Sequence, residues 1–244
     1  MRERIFRLLN TSLPTVESAL DEDACILPVQ VGLGEGATTE LATLRDVADA
    51  TMGGVFWWDS YTDPAAADTD FFVASGTATT AASRTWTVSG ALALLASALP
   101  GGFARRVTIT STANAAFTSV VMTIEGTDAN DLPITGTITT TAGGGATDSS
   151  THAFKTVTSI TLPAQGGAGA TFQMGFGAGL GLSKPLRARQ GVNVVLREHA
   201  AGSLVTNGTF ALPAAVQPYG LYTPNSAPNG SQDYAVLYEV APPA

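Results

Sequence analysis

From Phe103 onward the apolar residues of this chain recur at every second position in short runs, and this alternation commits the chain to β structure. Val107 and Ile109 share one face of a first strand; Val120, Met122 and Ile124 share one in a second, and Ile134 and Ile138 in a third. The run "HAFKTVTSITL" supplies Phe154, Val157, Ile160 and Leu162, and "ATFQMGF" sets Phe172, Met174 and Phe176 on one side. The intervening "STANAA" and "GTDANDLP" are turn compositions. Five short β-branched strands at a spacing of roughly ten residues predict an all-β, immunoglobulin-like sandwich, although the Cys and Trp signature of antibody domains is missing.

Composition narrows the function. The chain has 244 residues, an apolar fraction of 45% and only 13% charged residues, so it can fill a core while leaving few charges for its surface. A net charge of −8, with Lys155 and Lys184 as the only lysines, argues against a nucleic-acid ligand, whose phosphates need clustered cations. No run reaches the ~20 apolar residues of a membrane-spanning helix. The opening "MRERIFRLLNTSLPT" is interrupted by Arg7 and does not read as a secretion signal, so synthesis in the cytoplasm is expected.

Charges are concentrated before residue 51, which predicts an N-terminal arm over 1–50. Within it Leu41, Leu44, Val47 and Ala48 recur at helical spacing, with Thr38 or Thr39 as N-cap and Gly53 as stop, which predicts one short helix. A β-sandwich domain with an aromatic-rich lead-in is expected over 51–182, and a second β region over 183–244. The end of the chain, "DYAVLYEV", sets Tyr234, Val236, Tyr238 and Val240 on one face of a final strand. Before it, "PAAVQPYGLYTPNSAPNGSQ" reads as an extended surface loop or edge segment because of its prolines.

Few residues suggest chemistry. "GFGAGLG", Gly175 to Gly181, is near the spacing of a dinucleotide loop but is followed by "LSKPLRARQG" instead of a helix, so it reads as a flexible connector. His152 and His199 have no ligand or nucleophile nearby in the sequence, and Cys25 follows acids that raise its thiol pKa. Asp59, Asp63, Asp68 and Asp70 are the densest carboxylates, without the Asp-x-Asp-x-Asp-Gly pattern of a calcium loop. Glu125, Asp128 and Asp131 read as turn formers at the end of one strand and the start of the next. No catalytic, cofactor-binding or metal-ligating residue is assigned, and an enzyme is not expected.

The run from Arg105 to Leu162, with "VTITS", the turn "GTDANDLP", a Thr-rich return strand and "FKTVTSI", resembles a β-domain that recurs in structural proteins of tailed bacteriophages. The closing "GTFALPAAVQPYGLYTPNSAPNGSQDYAVLYEV" is similar to C-terminal regions of such virion proteins. The resemblance implies a non-enzymatic virion protein on the capsid surface that decorates or cements the head, with the major capsid protein as partner. A homo-oligomer is expected, with a trimer favoured because capsid lattices offer three-fold positions. Neck, tail or head-fibre proteins of the same particle are the alternative. So is a carbohydrate-binding host-adhesion module in which Trp57, Trp58 and Tyr61 stack on sugar rings. Aromatic and Arg side chains dominate interface hot spots, so the expected contact residues are Arg2, Arg4, Phe6 and Arg7 of the arm together with Phe56, Trp57, Trp58, Tyr61, Phe71 and Phe72.

Overall fold

The structure, a computed structural model, describes residues 55–187, 195–200, 203–205 and 208–240. The expected N-terminal arm, its short helix and Cys25 lie outside the described residues. Fifteen strands occur among the described residues: β1 (Val55–Tyr61), β2 (Asp68–Ala78), β3 (Arg84–Thr87), β4 (Arg105–Ser111), β5 (Val121–Thr127), β6 (Pro133–Thr139), β7 (Thr147–Phe154), β8 (Thr156–Leu162), β9 (Thr171–Phe176), β10 (Leu180–Gly181), β11 (Val195–Ala200), β12 (Ser203–Val205), β13 (Thr209–Ala211), β14 (Leu221–Thr223) and β15 (Tyr234–Val240). The chain is mainly β, as the alternation requires.

Strands β2 to β9 form a two-sheet sandwich with orders β2-β9-β4-β7 and β3-β8-β5-β6, every neighbouring pair antiparallel. The pairing is nested. The first strand of the eight bonds the last, β3 bonds β8, β4 bonds β7, and β5 bonds β6 through the "GTDANDLP" turn. Residues 68–176 are therefore one long hairpin, rolled into two sheets by the β4·β9 and β5·β8 pairings. That is the connectivity of an eight-stranded jelly roll and not the ABED and CFG order of an immunoglobulin domain. Alternation marks which side chains point inward but carries no information on which strands pair, so it leaves the two sandwiches indistinguishable.

The inward faces are those expected from period two. Val107, Ile109, Phe172, Met174 and Phe176 from one sheet meet Trp86, Met122, Ile124, Ile138, Val157, Ile160 and Leu162 from the other, all buried. Trp86 and Phe172 meet edge to face across the sheets, with centroids 5.8 Å apart. In the β5–β6 turn, Asp128 accepts the backbone N–H groups of Asn130 (2.8 Å) and Leu132 (3.0 Å), while Asp131 adopts a left-handed φ of 63° and pairs with Lys155 at 2.7 Å. Asp128 and Asp131 are turn-builders, as their positions suggest, whereas Glu125 lies within β5 and its carboxylate accepts the Ser159 hydroxyl of β8.

The remaining strands build a second β region from the two flanks of the sandwich. β1 pairs with β15 along its full length, giving the order β1-β15-β11-β12, and β14 lies between β10 and β13. Both sheets contribute to one core, where Tyr61, Tyr234, Val236 and Tyr238 meet Leu180, Leu182, Leu186 and Tyr222. The proline-rich stretch is thus more than a surface loop. Its prolines flank β14, Tyr222 is fully buried, and the stretch covers the outer edge of β7, where Gln217 bonds Thr151 and Ala153 through its backbone.

Three of the four glycines of "GFGAGLG" are tightly packed, Gly177 being the exception. A methyl group on Gly175 would run into the Asp68 carbonyl, one on Gly179 into Leu221, and one on Gly181 between Ala104 and Ala153. Here the backbone leaves the sandwich for the second region, and only hydrogen fits at these positions. Arg105 fixes the same crossing. Its guanidinium is buried, donates to the Gly177 carbonyl (2.7 and 3.0 Å) and the Ala65 carbonyl (3.1 Å), and lies 4.9 Å above the centre of the Phe176 ring. Both linkers between the two regions are thereby tied to the first residue of β4. Burial lowers the guanidinium pKa to about 10, which leaves it charged at neutral pH.

Candidate interaction surfaces

The most elaborate polar cluster centres on Asp59 of β1, which points into the second region beside Trp57 and Tyr61. Its carboxylate accepts from Trp57 Nε1 (3.0 Å), the Ser183 N–H (2.9 Å), the Ser183 hydroxyl and the Tyr238 hydroxyl (2.8 Å). The Tyr61 hydroxyl lies 3.4 Å from the same carboxylate and 3.1 Å from the Gly181 carbonyl. Tyr238 in turn accepts the Lys184 N–H at 3.1 Å. A buried carboxylate surrounded by donors is well stabilised and has no open coordination position for a substrate. The cluster is a clasp joining β1, β15 and the 181–184 segment.

Burial, reinforced by the Asp59 charge, raises the pKa of both Tyr61 and Tyr238 above the ordinary 10.0. The unfolded chain therefore releases these protons first. Their contribution to stability is complete below about pH 10 and is lost as pH rises above it. The melting temperature is expected to fall above that pH, and less steeply in Tyr238→Phe; equal slopes in both proteins would refute the assignment.

The residues expected to make contacts divide sharply. Arg2, Arg4, Phe6, Arg7 and the side chain of Phe56 lie outside the described residues. Phe72 is fully buried in the sandwich core and Tyr61 in the second core, so neither offers surface to a partner. Phe71 is partly buried, edge-on to Phe72 and Phe176. Among the described residues of the set, Trp57 and Trp58 are the exposed ones, at 36% and 39%, and on opposite faces of β1 because they are adjacent. They cannot form one stacking platform. The Trp57 ring is held by its bond to Asp59 and by Lys184 Nζ, 4.9 Å from the ring centre.

An apolar surface lies where the sequence predicts no contact residue. Between Arg84 and Arg105 no charged residue occurs, and the loop after β3 exposes Val88 (54%), Leu92 (37%) and Leu95 (65%). The loop is nevertheless well organised. Thr87 bonds Leu92 and Leu94 through its backbone at 3.0 and 2.9 Å, Leu95 N–H donates to Phe72 O at 3.0 Å, and the Leu94 side chain is buried in the core. Its trace in the sequence is the uncharged "TVSGALALLASALP", which lacks strand periodicity and so does not stand out as an element.

The four aspartates of the lead-in do not converge. Asp59 faces the clasp, Asp68 accepts the Asp70 N–H, and Asp63 N–H donates to Asp233. Among the described residues, no group of three or more His, Cys, Asp or Glu side chains could hold a metal ion, and no helix is long and apolar enough to cross a membrane. His152 packs on Phe154 with its Nδ1 3.0 Å from the Thr151 hydroxyl, and burial lowers its pKa. No family model, curated protein or solved structure matches this chain.

Proposed function

We propose that the chain is a non-enzymatic structural protein of a tailed-phage virion that docks on the outer capsid surface and cements the head, most plainly as a homo-oligomer at three-fold positions. The major capsid protein is its partner. The observation that carries this reading is the apolar loop: a rigid sandwich presents Val88, Leu92 and Leu95 to solvent in a conformation fixed by backbone hydrogen bonds. Exposed apolar residues on a preorganised loop lose little entropy on association, which suits an element that must hold a partner in place. The family resemblance of the Arg105–Leu162 run supports the virion context. The jelly roll supports it too, since viral capsid domains are among the proteins that use this fold, although lectins and cupins share it.

Two measurements test the reading. In purified particles, densitometry should give a copy number comparable to that of the capsid subunit; a handful of copies would move the protein to a neck, tail or head-fibre position. Leu92→Asp with Leu95→Asp should leave the melting temperature within a few degrees of wild type, because both side chains are exposed, and should abolish attachment to heads.

A further inference from the structure

The outer face of the β3-β8-β5-β6 sheet carries an ordered field of hydroxyl groups. Thr85, Thr161, Thr123 and Thr137 stand in one row across the four strands, and Thr87, Ser159, Glu125 and Thr135 in the next. Within these two rows Glu125 is the only charged side chain. The register of β5 against β8 slips between Glu125 and Gly126, leaving Thr158 as the extra residue of a β-bulge. Gly126 is required there, because a Cβ would collide with the Thr156 carbonyl.

The bulge opens a depression of about 310 Å³ lined by Glu125, Gly126, Pro133, Ile134, Thr135 and Thr158. That volume is at the lower end of the range for small-ligand sites. The Glu125 carboxylate is oriented from one side only: Oε2 accepts the Ser159 hydroxyl at 2.8 Å, and no donor among the described residues reaches Oε1. Thr158 is fixed through its hydroxyl to the Glu125 carbonyl at 3.1 Å, while the Thr135 hydroxyl is left to solvent.

We infer that this depression binds a neutral saccharide through Glu125 and the flanking threonines. A carboxylate oxygen accepts from sugar hydroxyls, threonine hydroxyls can donate or accept, and the exposed Pro133 ring offers an apolar contact to a ring C–H face, while Ile134, on the opposite face of β6, packs on the core. The other classes of ligand fit less well. A carboxylate repels nucleic acid. The cores of protein interfaces are enriched in aromatic residues, Met and Arg, none of which occurs in these two rows. This inference stands apart from the virion reading and from the exposed tryptophans, so each can fail alone.

The test is titration of the full chain with maltotriose, cellotriose and triacetylchitotriose, followed by saturation-transfer NMR and calorimetry, beside a Lys-rich peptide as competitor class. At least one sugar should bind at millimolar concentration. Glu125→Gln keeps the shape of an exposed side chain, so it should fold normally and weaken binding by about tenfold or more, the loss expected for one charge-assisted hydrogen bond. Thr135→Val should weaken it further, and Trp57→Ala should leave it unchanged. Silence from all three sugars, equal binding by Glu125→Gln, loss of binding in Trp57→Ala, or a response to the peptide alone would overturn the inference.

Discussion

Asp59→Ala is expected to lower the unfolding free energy by about 3–5 kcal/mol, the largest effect of any single polar substitution in the second β region. The carboxylate gathers donors from Trp57, Tyr61, Ser183 and Tyr238, and its removal leaves these donors without their common acceptor in a largely buried site. Each buried donor left unsatisfied costs about 1–3 kcal/mol, and these costs overlap because the groups share one cavity. The damage should be regional. Hydrogen exchange should accelerate in β1 and β15 while β4, β5 and β8 keep their protection, since the sandwich core contains no member of the clasp. Urea unfolding of Asp59→Ala within about 1 kcal/mol of wild type would show that the clasp contributes little.

Arg105→Met is expected to cost about 2–4 kcal/mol, by a different mechanism. The methionine restores much of the apolar packing against Phe176 but leaves the Gly177 and Ala65 carbonyls without their donors. Because these carbonyls lie on the two linkers, the loss should also uncouple the regions. A single cooperative transition in the wild type should split into two in the variant, seen as separate urea midpoints for Trp86 in the sandwich and Trp57 in the second region. A variant that retains one transition at the wild-type midpoint would contradict the role given to this side chain.

Much of the fold is legible in particular residues. Val107 and Ile109, Met122 and Ile124, and Phe172, Met174 and Phe176 are all buried as their alternation requires, and the "GTDANDLP" turn joins β5 to β6 as its composition predicts. The same rule places two charges inside. Arg105 shares parity with Val107 and Ile109, and Asp59 shares it with Tyr61, so alternation alone marks each as inward-facing. The general tendency of charges to stay solvated points the other way. Hydrogen-bond partners distant in the chain decide between the two, and those are not written beside either residue.

Other features leave no local trace. β1 meets β15 at the far end of the chain, and nested pairing of eight similar strands is decided by their joint packing and not by any one strand's pattern. The glycines of "GFGAGLG" invite a reading as a flexible loop because close backbone approach and flexibility select the same residue. The depression beside Glu125 is invisible for a related reason: it lies at a bulge, and a one-residue slip in pairing register is not written in either strand alone.

The proposed role rests on whether the apolar loop attaches this chain to an assembled head. Purified protein should be mixed with heads that lack it and pelleted, with the bound fraction measured against added protein for wild type and for Leu92→Asp with Leu95→Asp. Saturable pelleting at a fixed ratio to the capsid subunit, lost in the double variant while its fold is retained, is the expected result. Wild-type protein that stays in the supernatant at every concentration, or a double variant that pellets equally well, would contradict it.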